Sequence, residues 1–206
     1  MRRQPAIYGL DIETDTTVNG LDPAVAAIVT VALAGNGYEE TFTGPEDQLL
    51  VELDERLDEL EPGVIATWNG GAFDLPFIAD RAARHDLPLG LHLEPSSPPQ
   101  TACRARWYDH AHLDAYRVYR CDVGPALRIS CSLKSIARFV GLSPVEVDRT
   151  RIHDLSNEAL HAYAASDARL ARILAERRWA TASRSIDRVS GPDLGLARRH
   201  HPALSA

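Results

Sequence analysis

The chain has 206 residues, of which 45% are hydrophobic and 25% charged, and its formal net charge is −7 at pH 7. Length and composition fit one globular domain with a sizeable core, and no apolar run nears the ~20 residues needed to span a bilayer. The negative charge excludes a general basic coating for nucleic acid, but not a nucleic-acid substrate, because acids gathered around metal ions add to the same count.

The N-terminus, Met1-Arg2-Arg3-Gln4-Pro5, is basic but lacks the long uncharged apolar region of a signal peptide, so the expected location is the cytoplasm. Cys103, Cys121 and Cys131 have no paired spacing and predict no disulfide framework. With His110 and His112 they match no structural zinc pattern either. Lys134 is the only lysine among 22 basic residues, a compositional bias from which no function follows.

Residues 6–13 read as a central strand that ends in acids. Asp11 and Glu13 are two apart and so point to one face. Two carboxylates side by side repel unless a cation neutralises them, although a strand running out into solvent carries acids for no such reason. Residues 14–25 form a polar loop with turn signals at Asn19-Gly20 and Asp22-Pro23. A β-branched run over 26–34, the hairpin signal Gly35-Asn36-Gly37 and residues 38–43 predict two antiparallel strands.

Residues 46–60 place Leu49, Leu50, Leu53, Leu57 and Leu60 at helical spacing, with the acids read as a solvated face. Pro62-Gly63 ends that helix, and residues 64–67 form a short buried strand. The stretch Trp68-Asn69-Gly70-Gly71-Ala72-Phe73-Asp74-Leu75-Pro76-Phe77 then turns through two glycines into a helix over 75–85, with Asp74 at its start. Alone, Asp74 fits a helix N-terminal acid.

Residues 87–108 are rich in Pro and read as a long loop ending in Arg104-Ala105-Arg106-Trp107-Tyr108. Basic residues beside aromatics suit a single-stranded nucleic-acid contact, whereas Trp107 also suits a core anchor. A last strand over 111–114 carries Asp114 near its end, 121–129 reads as a loop, and 132–141 is a helix capped by Ser132. A final long helix runs from Ser156 to about 179, with Tyr163 and Asp167 four apart on one face. Residues 1–185 are expected to form one domain and 186–206 a frayed tail.

In this order, the three acidic motifs resemble the DEDD 3′–5′ exonucleases of the ribonuclease H-like superfamily. Asp11-Ile12-Glu13 looks like the first motif, Asn69-x-x-x-Phe73-Asp74 the second, and Tyr163-x-x-x-Asp167 the third. The position five before the last acid, a His in the other variety, is Ala162, which points to the tyrosine (DEDDy) type. The sequence around Asp74, with Arg81, and the 132–141 helix are similar to the proofreading exonuclease domain of family-B DNA polymerases. With no polymerase sequence beside it, a stand-alone nuclease is expected.

The resemblance implies an α/β fold with a mixed five-stranded sheet of order 3-2-1-4-5, flanked by helices. It implies a metal-dependent 3′–5′ exonuclease acting on the 3′ ends of single-stranded DNA or RNA. A weak enzyme that binds nucleic-acid ends or a partner through the same fold is the alternative. Phosphodiester hydrolysis asks for charge stabilisation on two oxygens, which two divalent cations ~4 Å apart supply, and hard oxygen ligands select Mg²⁺ or Mn²⁺. By resemblance, Asp11, Glu13, Asp74 and Asp167 hold the metals, and Tyr163 orients the attacking water. Thr14, Asn69, Phe73, Arg104 and Arg106 are candidate substrate contacts. No membrane contact is expected. DNA or RNA preference, the biological pathway, the oligomeric state and the role of Asp114 stay open.

Overall fold

The computed structural model of the chain describes residues 4–95, 102–121, 123–187 and 189. Three strands open it: β1 (Ala6–Thr14), β2 (Ile28–Gly35) and β3 (Tyr38–Thr43). Helix α1 (Glu46–Glu59), strand β4 (Gly63–Thr67) and helix α2 (Asp74–Arg84) follow. Next come β5 (Leu91–Pro95), β6 (Cys103–Trp107) and β7 (His110–Asp114), then α3 (Ala115–Cys121), α4 (Val123–Leu127) and α5 (Leu133–Phe139). A 3₁₀ segment (Arg149–Asp154), the long α6 (Asn157–Arg177) and α7 (Trp179–Ala182) close the described chain.

The sheet has seven strands in the order β3-β2-β1-β4-β7-β6-β5. The expected five-stranded order is present from β3 to β7, with β1, β4 and β7 parallel and β2 and β3 antiparallel to their neighbours. Two strands were not expected. Residues 87–108, read as a loop, hold the antiparallel pair β5 and β6, which extends the sheet beyond β7. Leu91 and Leu93 lie opposite Trp107 and Ala105, so the period-two pattern is there. It spans too few residues, amid prolines, to stand out as a strand signal. Residues 96–101, which include Pro98 and Pro99, lie outside the described residues.

The expected loop over 121–129 is also corrected. Cys121 ends one helix and Val123–Leu127 forms another short one. Gly124 is buried, and Val123 and Ile129 pack against the cluster of Leu113, Val118, Tyr119, Ile136 and Leu174, so tertiary burial outweighs the weak local pattern.

Helices cover both faces. On one, α1 and α2 bury Leu49, Leu53, Leu57, Leu75 and Ile78 against Tyr8, Leu10, Ile12, Val31 and Leu33. On the other, α3, α5 and α6 pack Tyr119, Ile136, Leu170 and Leu174 on Ile7, Val64, Ala66 and Leu113. Alternation along β1 thus gives its even residues to the first layer and its odd ones to the second.

The second layer lies unusually close to the sheet. A Cβ at Gly9 would sit 1.8 Å from the carbonyl oxygen of Ala168 on α6. Ala32 and Ala34 of β2 meet Ala164 and Ala168 with no larger side chain between them. Ser156 caps α6 by accepting from Ala159 N–H at 3.2 Å, which fixes where that helix starts. Among the described residues, no helix is long and apolar enough to cross a membrane.

The α1 acids are not all solvated. Asp54 is buried and accepts from Trp107 Nε1 at 2.7 Å, Tyr108 Oη at 2.5 Å and Gly90 N–H at 2.8 Å. One carboxylate therefore fastens α1 to the β5–β6 edge, with Trp107 a core anchor. At the other end of the chain, Asp187 accepts from Ala105 N–H at 3.1 Å and meets His112 Nδ1 at 2.6 Å. His112 Nε2 reaches Thr67 Oγ1 at 2.8 Å. Ile186 and Asp187 thus return to the sheet, while residues 190–206, where a tail is expected, lie outside the described residues.

Candidate active site

Strands β1, β4 and β7 run parallel, and their carboxyl ends lie together at one edge of the sheet. In open α/β sheets this is the edge where ligands bind. Asp11 and Glu13 stand there on the α6 face of β1. Because Gly9 and Ala168 let α6 approach, Asp167, next to Ala168, reaches the same point. Asp11, Glu13 and Asp167 each contribute a carboxylate oxygen, and these oxygens lie within 4.8 Å of one another.

Asp74 arrives differently. The pairing of β1 with β4 stops at Gly9 and Ala66, because β4 turns away at Asn69 while β1 runs on to Thr14. Ile12 N–H is left without a β4 partner, and the Asp74 carboxylate at the start of α2 accepts it at 3.3 Å. Asp74 is therefore tied to the backbone between Asp11 and Glu13.

The turn that aims Asp74 is held by Asp114, whose role the sequence left open. Asp114 Oδ1 accepts from Asn69 N–H at 2.9 Å and from Tyr116 N–H at 3.1 Å. Asn69 has a φ of 70°, a left-handed conformation that Asn tolerates better than most residues. A Cβ at Gly70 would lie 2.5 Å from Thr67, so the tight turn needs a glycine there.

Acids gathered this closely repel one another: Glu13, Asp74, Asp114 and Asp167 are buried and Asp11 is half-buried. Burial, then Glu13 and Asp74, hold the Asp11 carboxyl well above the usual carboxylate range. Burial pushes Glu13 up to about 7, against the pull of Arg149. Asp74 is also pushed up to about 7 by burial, with its backbone hydrogen bonds opposing. Burial raises Asp114 as well. The folded protein thus carries a set of carboxylates that favour uptake of protons or of a cation. The donors are all hard carboxylate oxygens, which fits Mg²⁺ or Mn²⁺ and not a soft-metal site. Among the described residues, no other group of His, Cys, Asp or Glu has such geometry.

Tyr163 is buried one turn before Asp167, and burial with the nearby Glu13 and Asp11 pushes its hydroxyl further above its already alkaline value. Its ring carries the ammonium of Lys134 4.4 Å from the centroid. Lys134 also forms a close ion pair with Asp167. Arg149, exposed on the 3₁₀ segment, lowers the carboxylates of Asp11, Glu13 and Asp74 electrostatically.

The remaining candidates scatter. Thr14 is buried at the end of β1 and donates to Gly20 O at 2.7 Å. Asn69 lines an open cleft with Trp68, Tyr116, Ser130, Cys131 and Ser132. Phe73 packs against Phe77, with ring centroids 5.3 Å apart. Arg104 and Arg106 stand on β6, three strands from β1 in the sheet order and so about 14 Å away across the sheet. Arg104 pairs with Glu94 at 2.8 Å.

Sequence reasoning missed Lys134, Arg149 and Gly9. Gly9 had a signal: it lies on the same face as Asp11 and Glu13, two residues back. For Lys134 the only hint was its being the sole lysine. Arg149 had none.

A sequence model described as the RNase_H superfamily matches residues 9–154. The chain is 31% identical over 136 residues to a DNA polymerase epsilon catalytic subunit of Arabidopsis thaliana, a match over 64% of this chain and 6% of that protein. It is 25% identical over 125 residues to a DNA polymerase of Archaeoglobus fulgidus, covering 58% of this chain and 15% of the relative. The chain therefore spans a small part of these relatives. Among solved structures, the family B DNA polymerase of Pyrobaculum calidifontis superposes with a TM-score of 0.74 at 21% identity, over 86% of this chain and 25% of that one. The last likeness shows a shared fold.

Proposed function

Because this chain belongs to the RNase_H superfamily, we propose that it is a metal-dependent 3′–5′ exonuclease of the tyrosine DEDD type. Its substrate would be the 3′ end of single-stranded DNA or RNA. One observation carries the reading. Three acidic motifs, dispersed between residues 11 and 167, converge at one sheet edge, with three carboxylates within 4.8 Å and Asp74 bonded between them. The similarity to family-B DNA polymerases, whose proofreading domain the motif order resembles, supports the same reading and the 3′–5′ polarity.

In this reading Asp11, Glu13 and Asp167 would hold one divalent cation, and Asp74 with Asp11 would support a second. Divalent cations bound there supply charge neutralisation at the phosphate and acidify a water. The chain's own residues do the rest. Tyr163, with its hydroxyl held protonated, orients the attacking water and does not act as its base. Asp114 holds the Asn69 turn and so the aim of Asp74. Arg149, exposed over the acids and without an ion pair among the described residues, is placed to meet a substrate phosphate. Single-domain organisation over 1–185 belongs to this proposal too.

The test uses a 5′-labelled single-stranded oligonucleotide, as DNA and as RNA, with Mg²⁺, Mn²⁺ or EDTA. A ladder shortening from the 3′ end, lost in EDTA and in Asp11→Ala, is the expected result. Binding without any ladder would instead favour a module that holds nucleic-acid ends.

A further inference from the structure

The acidic cluster contains a cation of its own, and it sits where a helix should not carry one. Lys134 lies in the first turn of α5, just after the capping Ser132, where the helix dipole disfavours positive charge. Its side chain is only 19% exposed. Two costs thus act on one ammonium, burial being the larger and lowering it to about 8, and the acidic site offsets part of them. Lys134 pairs with Asp167 and lies over the Tyr163 ring, two groups four apart on α6. Asp11 and Glu13 add attraction from β1. Asp167 is at the same time one of the three carboxylates whose oxygens converge.

We propose that Lys134 is the resident counter-ion of this cluster, holding Asp167 in the metal-free protein and competing with a divalent cation for it. A cation among Asp11, Glu13 and Asp167 and an ammonium on Asp167 repel at close range, so each weakens the other. By linkage, the ion pair that neutralises the metal-free site lowers its metal affinity by the same factor. The inference rests on the metal-site reading above, but its test needs no nucleic acid and no turnover.

Mn²⁺ is titrated calorimetrically into wild type, Lys134→Met, Lys134→Arg and Asp11→Ala at a pH of about 7.5, above the value of about 7 for Glu13 and Asp74 and below the value of about 8 to which burial lowers Lys134. Lys134→Met should bind Mn²⁺ about tenfold more tightly than wild type, and Lys134→Arg should stay near wild type. The metal-free melting temperature of Lys134→Met should fall, and Mn²⁺ should raise it by more than it raises wild type. If Lys134→Met does not fold, Lys134→Gln takes its place. Equal or weaker Mn²⁺ binding in the neutral variant overturns the inference. Wild-type binding that survives Asp11→Ala overturns the metal-site reading instead, so the two failures are distinguishable.

Discussion

The middle of the sheet and its β5–β6 edge are built by opposite means. Around β1, carboxylates crowd together with too few partners, and burial raises Asp11, Glu13 and Asp74. At the β5–β6 edge, single carboxylates are saturated: Asp54 accepts three hydrogen bonds, and Asp187 joins Ala105 N–H and His112. A satisfied buried acid holds a fold together, whereas an unsatisfied group of them stores repulsion that a ligand can relieve. Position alone does not separate the two kinds; their partners do.

The largest expected effect breaks the contrast at β1. Asp11→Asn should lower nuclease turnover by about a thousandfold. The same change should raise the metal-free melting temperature, because it removes a carboxylate whose charged form is disfavoured in the fold. A paired loss of rate and gain of stability, read by the ladder assay and by thermal melts, marks a functional group.

Asp54→Ala is the mirror experiment. It leaves Trp107 Nε1, Tyr108 Oη and Gly90 N–H without their acceptor, at a cost of about 3 kcal/mol or more. Chemical denaturation should record that loss, while turnover of the remaining folded protein stays near wild type.

Gly9→Ala joins the two sides of the comparison. The added methyl meets the Ala168 carbonyl and must push α6 outward, destabilising by about 1–3 kcal/mol. Since α6 carries Asp167, Mn²⁺ affinity should fall as well. A stable variant with unchanged affinity would detach the close helix approach from the site.

The pH dependence is gentler and has a definite sign. Glu13 and Asp74 are raised from the ordinary carboxylate range to about 7, so the folded state binds more protons than the unfolded state between about 4 and 7. Their contribution to stability is therefore present below that window and is lost as the pH rises through about 7. The metal-free melting temperature should drop over this range, and saturating Mn²⁺ should flatten the drop. At the small end, Arg149→Ala should raise KM for the oligonucleotide by roughly tenfold with little change in kcat, as loss of one charged phosphate contact would.

The same contrast explains what could be read from the sequence. Asp11-Ile12-Glu13, the Trp68–Asp74 stretch and Tyr163-x-x-x-Asp167 are local patterns, because each acid is carried by a few consecutive residues on one element. The order β3-β2-β1-β4-β7 followed from hairpin signals and from the resemblance. The edge was hidden because its partners are far apart in sequence: Asp54 with Trp107, and His112 with Asp187. An acid on an amphipathic helix looks solvated until its distant donors are known. Lys134 was hidden for the same reason. Its place beside Asp167 depends on how α5 packs on α6, which no spacing within either helix encodes.

The most direct measurement is anomalous diffraction from a crystal soaked in Mn²⁺. The expected result is a peak among Asp11, Glu13 and Asp167, with any second peak on the Asp74 side, and the Lys134 ammonium drawn off Asp167. No peak at saturating Mn²⁺, or a peak only elsewhere on the protein, would contradict the assignment of this cluster as a metal-dependent active site.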